Sequence, residues 1–397
     1  MSLKEKIKHQ SKELLQEIIA IRRHLHAHPE LSFHEFETSK YICSVLDKWN
    51  IPYTKGWVKT GIVAVIKGNN PDKNCIALRA DMDALPIQEA AGREYGSKHT
   101  GIMHACGHDV HTASLLGAAY ILNNLKNEFE GSIKLIFQPG EELLPGGASL
   151  MIKEGVLKNP DAECIFGQHV FPSLEAGKVG FRKGMYMAST DELYFTIKGK
   201  GGHAAMPADY NNPIFIAGDI IKELHRFFME QKQNDVPTVI AFGKFIANGA
   251  TNVIPETVNI EGTFRTMNEE WRKKAHEKII EIANTIAQQS KGQCEVEIRK
   301  GYPFLSNHEG LTEKAISSAK DFLGDENVID LDLRMTAEDF AFYSQEIPAC
   351  FYRLGTANFE KGITAGVHTP QFDIDEKALE TGMGLMAYLT LQELSGN

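Results

Sequence analysis

Hydrophobic residues recur along the first 170 residues at two spacings that alternate. Leu14, Ile18 and Leu25 lie at helical spacing and predict a helix over 11–26, and a second helix is predicted over 36–49. Short apolar runs bounded by turn residues predict buried strands at 61–66, 75–80, 132–138 and 164–170, with helices at 112–126 and 147–154 between the later strands. This alternation is typical of an α/β domain with a largely parallel sheet.

The order of predicted elements changes near Gly184. A strand (192–198) is followed by a helix (213–231), two strands (238–247 and 257–266), a helix (269–289) and a strand (293–299). This β-α-β-β-α-β order is that of a ferredoxin-like α+β domain, and its free edge strand predicts a homodimer through the insert. The first pattern then resumes, with a helix over 309–323, a helix start at 337–340, a strand over 349–354 and a helix over 376–391. We therefore expect a catalytic domain in two parts, 1–183 and 300–397, around an insert, 184–299.

Composition excludes several classes of protein. The 397 residues carry a formal net charge of −10, which argues against nucleic acid or an anionic membrane as partner. The six cysteines include no C-x-x-C pair, and no run approaches the ~18 apolar residues of a membrane span. The charged N-terminus has no apolar stretch of a signal peptide behind it. We expect a cytoplasmic globular enzyme with reduced thiols.

Candidate chemistry is concentrated in the stretch 101–111. It contains Cys106 and three imidazoles, and Cys106 and His108 are separated only by a glycine. Thiolate and imidazole are strong metal ligands, so both side chains can turn toward one ion. The alternative is a histidine-rich loop with a buried free cysteine.

Further candidate ligands follow predicted strands, where open α/β sheets bind their ligands. They are Glu141 and Glu142, after the strand 132–138, and His169, near the end of the strand 164–170, while His368 lies much later in the chain. Five ligands are too many for one tetrahedral ion, but they suit two ions about 3.5–4 Å apart that share one ligand. We expect Cys106, His108 and His169 on one ion, and Cys106, Glu142 and His368 on the other, with Cys106 as the bridge.

The adjacent pair Glu141 and Glu142 predicts two roles, because successive side chains in extended or turn backbone point apart. One carboxylate binds metal, while Glu141 acts as the general base that takes a proton from water and passes it to the leaving amine. The alternative is a solvated helix N-terminus. Asp83 is expected to accept the second ring N–H of His108, with a turn or cap aspartate as the alternative.

The insert contains a glycine-rich segment, 199–204, that fits G-x-G-x-x-A and raises the alternative of a dinucleotide loop. Pro207 and a polar loop separate it from the next helix, which weakens that interpretation. We favour glycines that let His203 approach the metals and stabilise an oxyanion. Asn252 and Arg265 are candidate contacts for a substrate carboxylate, and for Arg265 a surface salt bridge is an equal alternative.

With these residues assembled, the chain resembles the aminoacylase and carboxypeptidase family of dinuclear metallopeptidases. Within that family it resembles the amidohydrolase branch, which includes hippurate hydrolase and aminoacylase. The matching segments extend over nearly the whole chain: 28–33, 79–86, 103–109, 138–142, 201–205 and 337–340. The resemblance implies a zinc-peptidase-like catalytic domain with an inserted dimerisation (lid) domain, the same five ligands, and Glu141 as base. It also implies that His203 and Asn252 reach into the active site of the partner subunit.

The activity implied is a metal-dependent hydrolysis of N-acyl-L-amino acids to a carboxylate and a free amino acid, by attack of metal-bound hydroxide. Two divalent ions per chain are expected, and the mixed ligands suit Mn²⁺, Zn²⁺, Co²⁺ or Ni²⁺. A carboxypeptidase or dipeptidase on the same scaffold is the alternative enzyme. A binding protein without turnover is a further alternative, against which the intact Glu141 argues.

Overall fold

The computed structural model describes residues 1–230 and 236–396. Contacts between residues divide the chain into two compact units. The first unit comprises Met1–Gly184, Ser306–Asp332 and the chain from Asp339 onwards, and the second comprises Met185–Leu305 and Leu333–Glu338. Residues 300–305 and 333–338 thus lie outside the expected insert of 184–299 but within the second unit, where Arg334 bridges to Met187.

Helices and strands account for most of both units. The helices are α1 (Leu3–Ala27), α2 (Phe36–Lys48), α3 (His108–Asn124), α4 (Gly147–Lys153), α5 (Pro213–His225), α6 (Glu269–Gln289), α7 (Glu309–Leu323), α8 (Ala341–Glu346) and α9 (Ala378–Ser395). The strands are β1 (Tyr53–Trp57), β2 (Gly61–Lys67), β3 (Cys75–Asp81), β4 (Ser132–Gln138), β5 (Cys164–Glu175), β6 (Val179–Phe181), β7 (Gly184–Met187), β8 (Asp191–Lys198), β9 (Gly202–His203), β10 (Thr238–Ala247), β11 (Val253–Ile254), β12 (Thr257–Thr266), β13 (Gln293–Lys300), β14 (Leu305–Asn307), β15 (Val328–Asp330) and β16 (Ala349–Ala357).

The first unit is built on a mixed, mostly parallel sheet of eight strands in the order β1-β2-β4-β3-β5-β16-β6-β15. Its centre is parallel, because β3 pairs in parallel with β4 and β5, and β5 pairs in parallel with β16. Strands β3 and β4 are buried along their whole length, as expected for strands covered on both faces. The parallel arrangement brings the carboxyl ends of β3, β4 and β5 to one edge of the sheet.

Helices α1, α3 and α9 pack together in the core of the first unit. Both α3 and α9 are buried over most of their residues, including polar ones such as His111 and Thr390, so neither helix shows a single apolar face. Their close approach requires glycine at position 117, where a Cβ atom would lie 2.7 Å from Met383 Sδ. This packing fixes the position of α3, whose N-terminus carries His108.

The second unit has an antiparallel four-stranded sheet in the order β10-β12-β8-β13. Helices α5 and α6 pack together and, with the sheet, enclose a separate hydrophobic core. This is the ferredoxin-like order expected from the sequence, and the fold class is confirmed. A buried ion pair between Asp191 and Arg272, with Nη2 to Oδ1 at 2.5 Å and Nε to Oδ2 at 3.0 Å, ties β8 to α6.

Several element bounds differ from the predictions. Helix α1 begins at Leu3 rather than residue 11, because Ser2 and Glu5 form a capping box. Helix α3 begins at His108 rather than 112, and α8 begins at Ala341, after the helix start predicted at 337–340. Helix α5 ends at His225 and a π-helical turn follows to Glu230, whereas the predicted end, Gln231, lies outside the described residues. The short strands β1, β6, β7, β9, β11, β14 and β15 were not predicted.

Candidate metal centre

Cys106 and His108 lie at the start of α3, beside the carboxyl ends of the parallel strands. Gly107 between them has φ +83°, in the left-handed region that favours glycine, and a Cβ there would lie 2.7 Å from the side chain of Val170. The left-handed glycine ends the preceding loop and starts the helix at His108. Both side chains are buried in consequence.

Cys106, His108 and His169 form a first group of buried candidate ligands. One ligand atom from each lies within 4.8 Å of the others, and Cys106 Sγ is 3.5 Å from His169 Nε2. The Nδ1–H of His169 donates to the carbonyl oxygen of Val170 at 2.8 Å. The lone pair of Nε2 is therefore directed toward the thiol, which is the tautomer that a metal ligand requires.

Cys106 also belongs to a second group, with Glu142 and His368. The three ligand atoms again lie within 4.8 Å of one another. His368 Nε2 is 3.3 Å from Cys106 Sγ and 3.2 Å from Glu142 Oε1. His368 has φ +61°, a conformation unusual for a residue with a side chain, and its backbone N–H donates to Ala105 O at 2.8 Å. Backbone strain of this kind is concentrated at functional sites.

Glu141 and Glu142 both face His108, although we expected successive side chains to point apart. Glu141 Oε2 and Glu142 Oε1 each lie 3.9 Å from His108 Nε2. Gly140, which precedes the pair, has φ +64°, in the left-handed region that favours glycine. Glu141 is buried, and the backbone N–H of Asp339 donates to its Oε1 at 3.4 Å.

Asp83 connects three parts of the site. Its Oδ1 lies 3.1 Å from His108 Nδ1, and its Oδ2 accepts from the Ser32 hydroxyl at 2.6 Å and from the Glu142 N–H at 3.0 Å. The carboxylate therefore orients both an imidazole and a turn. Burial by itself raises the pKa of Asp83. The hydrogen bonds outweigh burial and hold the pKa of Asp83 below its ordinary range.

Further residues of the site were given no role from the sequence: His111, Asp81, Arg79 and Asp339. The Nε2 atom of His111 accepts the Val170 N–H at 2.9 Å, so its proton is on Nδ1, 2.6 Å from Asp81 Oδ1. Arg79 joins Asp81 (2.7 Å) to Asp339 (2.6 Å). The position of Asp81 at the end of a predicted strand and the three-residue spacing of His108 and His111 on a helix were the available signals.

The donor set fits divalent cations. His108 Nε2 is buried, and in the described part of the chain it has no hydrogen-bond partner. Burial lowers the pKa of His108, but Asp81 and Asp83 outweigh it and raise that pKa to about 10. Burial, with the charges of Glu142 and Glu141, raises the pKa of the Cys106 thiol well above its ordinary value. Nearby carboxylates contribute to both shifts, and bound cations would neutralise this negative charge and favour the thiolate.

The remaining predicted residues lie in the second unit. His203 on β9 pairs with Val253 on β11, and the Ala204 N–H donates to Asn252 O at 3.1 Å, so the two predicted residues are neighbours. His203 is exposed, and its Nδ1 accepts the Ala205 N–H at 3.1 Å, which leaves Nε2 to carry the proton of the neutral ring. Arg265 is half-buried and donates to the carbonyl oxygen of Met335 at 3.1 Å.

Comparison with known proteins agrees with this geometry. Residues 77–392 match the model of peptidase family M20/M25/M40. The chain belongs to this family. An N-acetylcysteine deacetylase of Bacillus subtilis is 39% identical to this M20 chain over 377 residues, covering 94% of this chain and 96% of that one. Thermostable carboxypeptidase 2 of Saccharolobus solfataricus is 37% identical over 395 residues, covering 99% of each.

A solved M20 structure is similar throughout. The YXEP protein of Bacillus subtilis, described as a dinuclear metal-binding peptidase, has a TM-score of 0.84 and 37% identity, covering 97% of this chain and 99% of that one. This M20 chain is therefore a member of a hydrolase family with dinuclear metal-binding relatives, and its fold includes the inserted domain of that family. None of the helices in the described residues has the length and apolar character needed to cross a membrane.

Proposed function

We propose that this chain is a dinuclear metal-dependent amidohydrolase that cleaves N-acyl-L-amino acids to a carboxylate and a free amino acid. The observation that carries the proposal is the pair of ligand groups that share Cys106, with Glu141 beside them. Two three-ligand groups with one common thiolate suit two neighbouring ions and leave coordination positions open. A structural metal site would be closed by four ligands.

Each predicted ligand has a defined place in this proposal. Cys106 bridges, His108 and His169 complete one site, and Glu142 and His368 complete the other. Bound divalent cations would polarise the amide carbonyl and lower the pKa of water to about 7. The ring orientations of His108 and His169 are held by Asp83 and the Val170 carbonyl, which also raise the basicity of a metal-binding imidazole.

Glu141 is the proposed general base. Its buried carboxylate lies 3.9 Å from His108 Nε2, as does that of Glu142. Glu141 is therefore at the site, but it belongs to neither of the two ligand groups that share Cys106. From there it accepts a proton from the attacking water and returns it to the amide nitrogen, which leaves as the amine. Glu141→Gln should abolish turnover with full metal content, and a variant that keeps its turnover would exclude this role.

The second unit is proposed to supply the substrate contacts and the dimer interface. The neutral His203 ring has an Nε2–H to donate to a developing oxyanion. Asn252 and Arg265 are proposed to bind the substrate carboxylate. The edge strand β10 is proposed to pair in a homodimer, in which His203 and Asn252 act at the partner's centre. The cytoplasm is the proposed location, on the cysteine spacing alone.

Subunit complementation tests this arrangement. Mixing the inactive variants Glu141→Gln and His203→Ala, after dissociation and reassociation, should restore about a quarter of the normal activity, because half of the random dimers then contain one intact site. If His203 acts within its own chain, every site in the mixture carries one defect and the mixture stays inactive.

A carboxypeptidase or dipeptidase is the second candidate, favoured by the 37% identity to thermostable carboxypeptidase 2. The two candidates differ in what lies on the acyl side of the scissile amide. The deciding experiment measures amine release by protein stripped with a chelator and reloaded with Mn²⁺, Co²⁺, Ni²⁺ or Zn²⁺. Metal-dependent release from N-acetyl and N-benzoyl amino acids supports the first candidate, and preference for dipeptides supports the second.

A further inference from the structure

The turn that carries Glu141 and Glu142 is held from both sides by buried carboxylates. The N–H of Gly140, directly before Glu141, donates to Glu35 Oε1 at 2.9 Å. The N–H of Glu142, directly after it, donates to Asp83 Oδ2 at 3.0 Å. The residues on either side of the proposed general base are thus each held through their backbone N–H by a buried carboxyl group. Asp83 has a role in the proposed metal centre, whereas Glu35 has none so far.

Glu35 is fully buried at the start of α2. Its Oε1 accepts the N–H groups of Gly140 and of Phe33, both at 2.9 Å, and its Oε2 accepts the Thr60 hydroxyl at 2.7 Å. None of these three donors is charged. A buried carboxylate held by neutral groups is costly compared with an apolar side chain, so its position against the turn calls for a specific reason.

Shape reinforces the same contact. Gly140 has φ +64°, and a Cβ there would lie 2.4 Å from the ring of Phe33. Phe33 itself has φ +64°, which is unusual for a bulky residue. Ser32, one residue earlier, donates to Asp83 at 2.6 Å. The segment Ser32 to Glu35 therefore contacts the turn through the Phe33 ring and the Glu35 carboxyl group. Its Ser32 hydroxyl also holds Asp83, the other carboxylate that binds the turn.

We propose that Glu35 is a positioning residue that fixes the turn presenting Glu141 and Glu142, and that it acts on the reaction only through them. The claim that Glu35 positions Glu141 for proton transfer rests on the proposed function. The claim that Glu35 positions Glu142 as a metal ligand does not, because metal affinity can be measured without turnover.

Three variants separate positioning from folding. Glu35→Ala removes the acceptor of the Gly140 N–H. Glu35→Gln keeps it, since the amide oxygen can accept both backbone N–H groups while the amide nitrogen donates to the Thr60 oxygen. Thr60→Val removes the third hydrogen bond and disturbs the same buried pocket, but it leaves Gly140 held, so it is the matched control for loss of stability.

The first readout is the binding of Co²⁺ to the stripped full-length protein, measured by competition with a chromogenic chelator and by the visible absorption of the bound ion. Glu35→Ala should weaken Co²⁺ binding about 10–100-fold and alter the absorption bands. Glu35→Gln and Thr60→Val should remain within about twofold of the wild type on the same reasoning. Equal Co²⁺ affinity and identical spectra in all four proteins would overturn the proposal.

The second readout is the kinetics of amine release at saturating metal. Misplacing the base by about 1 Å costs on the order of 100-fold, so Glu35→Ala should lower kcat by about 10–100-fold with little change in KM, and Glu35→Gln should restore it. If the wild type releases no amine from any substrate, the proposed function fails while the Co²⁺ result still decides the role of Glu35. Should Glu35→Ala fail to fold, Glu35→Asp retains the charge but shortens the reach, and an unchanged Co²⁺ affinity in it would overturn the proposal.

Discussion

Replacing Glu35 with glutamine should remove a pH dependence from the stability of the metal-free protein. Burial, followed by the charge of Asp83, raises the pKa of Glu35 from an ordinary 4.5 to about 7. The folded state therefore binds this proton more tightly than the unfolded state does. Stability should fall as the pH rises from about 4.5 to about 7, and the effect should be constant outside this window.

The magnitude follows from the two pKa values. Each pH unit between them corresponds to about 1.4 kcal/mol, so values of 4.5 and about 7 give about 3 kcal/mol at most. Glutamine has no proton to lose, its amide oxygen can accept the same two backbone N–H groups, and its amide nitrogen can donate to the Thr60 oxygen. The free energy of unfolding of Glu35→Gln, relative to the wild type, should therefore increase by about 3 kcal/mol between pH 4.5 and pH 8.

Urea unfolding in the presence of a chelator, at pH 5, 6, 7 and 8, measures this difference. Because the chain divides into two compact units, a single two-state transition is not assured, and unfolding should be followed with a probe in the first unit. Glu37→Gln removes the same charge from an exposed position of α2 and is the matched control. A difference between Glu35→Gln and wild type that is the same at pH 5 and pH 8 would refute the reasoning that burial keeps this carboxyl protonated.

Three other predictions concern buried contacts. His111→Phe leaves the Val170 N–H without its acceptor and should weaken Co²⁺ binding about 10–100-fold in a chelator titration; unchanged affinity would show that His111 does not orient His169. Cys106→Ala should leave well under one metal ion per chain by atomic absorption, and two bound ions would exclude a bridging thiolate. Asp191→Asn leaves Glu269 as the remaining carboxylate partner of Arg272 and should cost the second unit about 1.5–3 kcal/mol in thermal unfolding, whereas an unchanged Tm would contradict this.

Sequence patterns predicted the secondary structure best where an apolar period was continuous. The bounds predicted for 132–138, 238–247, 257–266, 269–289 and 309–323 are those of β4, β10, β12, α6 and α7. The start of α1 was missed because its first two turns have few apolar residues, although the capping box of Ser2 and Glu5 is readable in the sequence. Short strands such as β6 have too few residues to show a period.

The candidate ligands could be proposed from their chemistry, since thiols, imidazoles and adjacent carboxylates at strand ends are rare together. Most of the residues that hold these ligands in place could not be proposed in the same way. Glu35 and Gly140 are 105 positions apart, and Arg79 and Asp339 are 260 apart. Such contacts leave no periodic signal in the chain, because each depends on how distant segments pack. Apart from Asp83, which was expected to contact His108, the sequence therefore indicated the reacting groups but not the residues that orient them.

The proposed support of the Glu141 turn comes partly from residues that precede the match to the family model. The match to the family model begins at residue 77, after the segment Ser32 to Glu35 and after Thr60. Yet this segment contains Glu35, one of the two carboxylates that hold the turn, and Ser32, whose hydroxyl donates to the other, Asp83. No proposed ligand precedes residue 106, so these early residues can influence metal binding only indirectly. A substitution among them that lowers Co²⁺ affinity without unfolding the chain would therefore act through the turn or through Asp83.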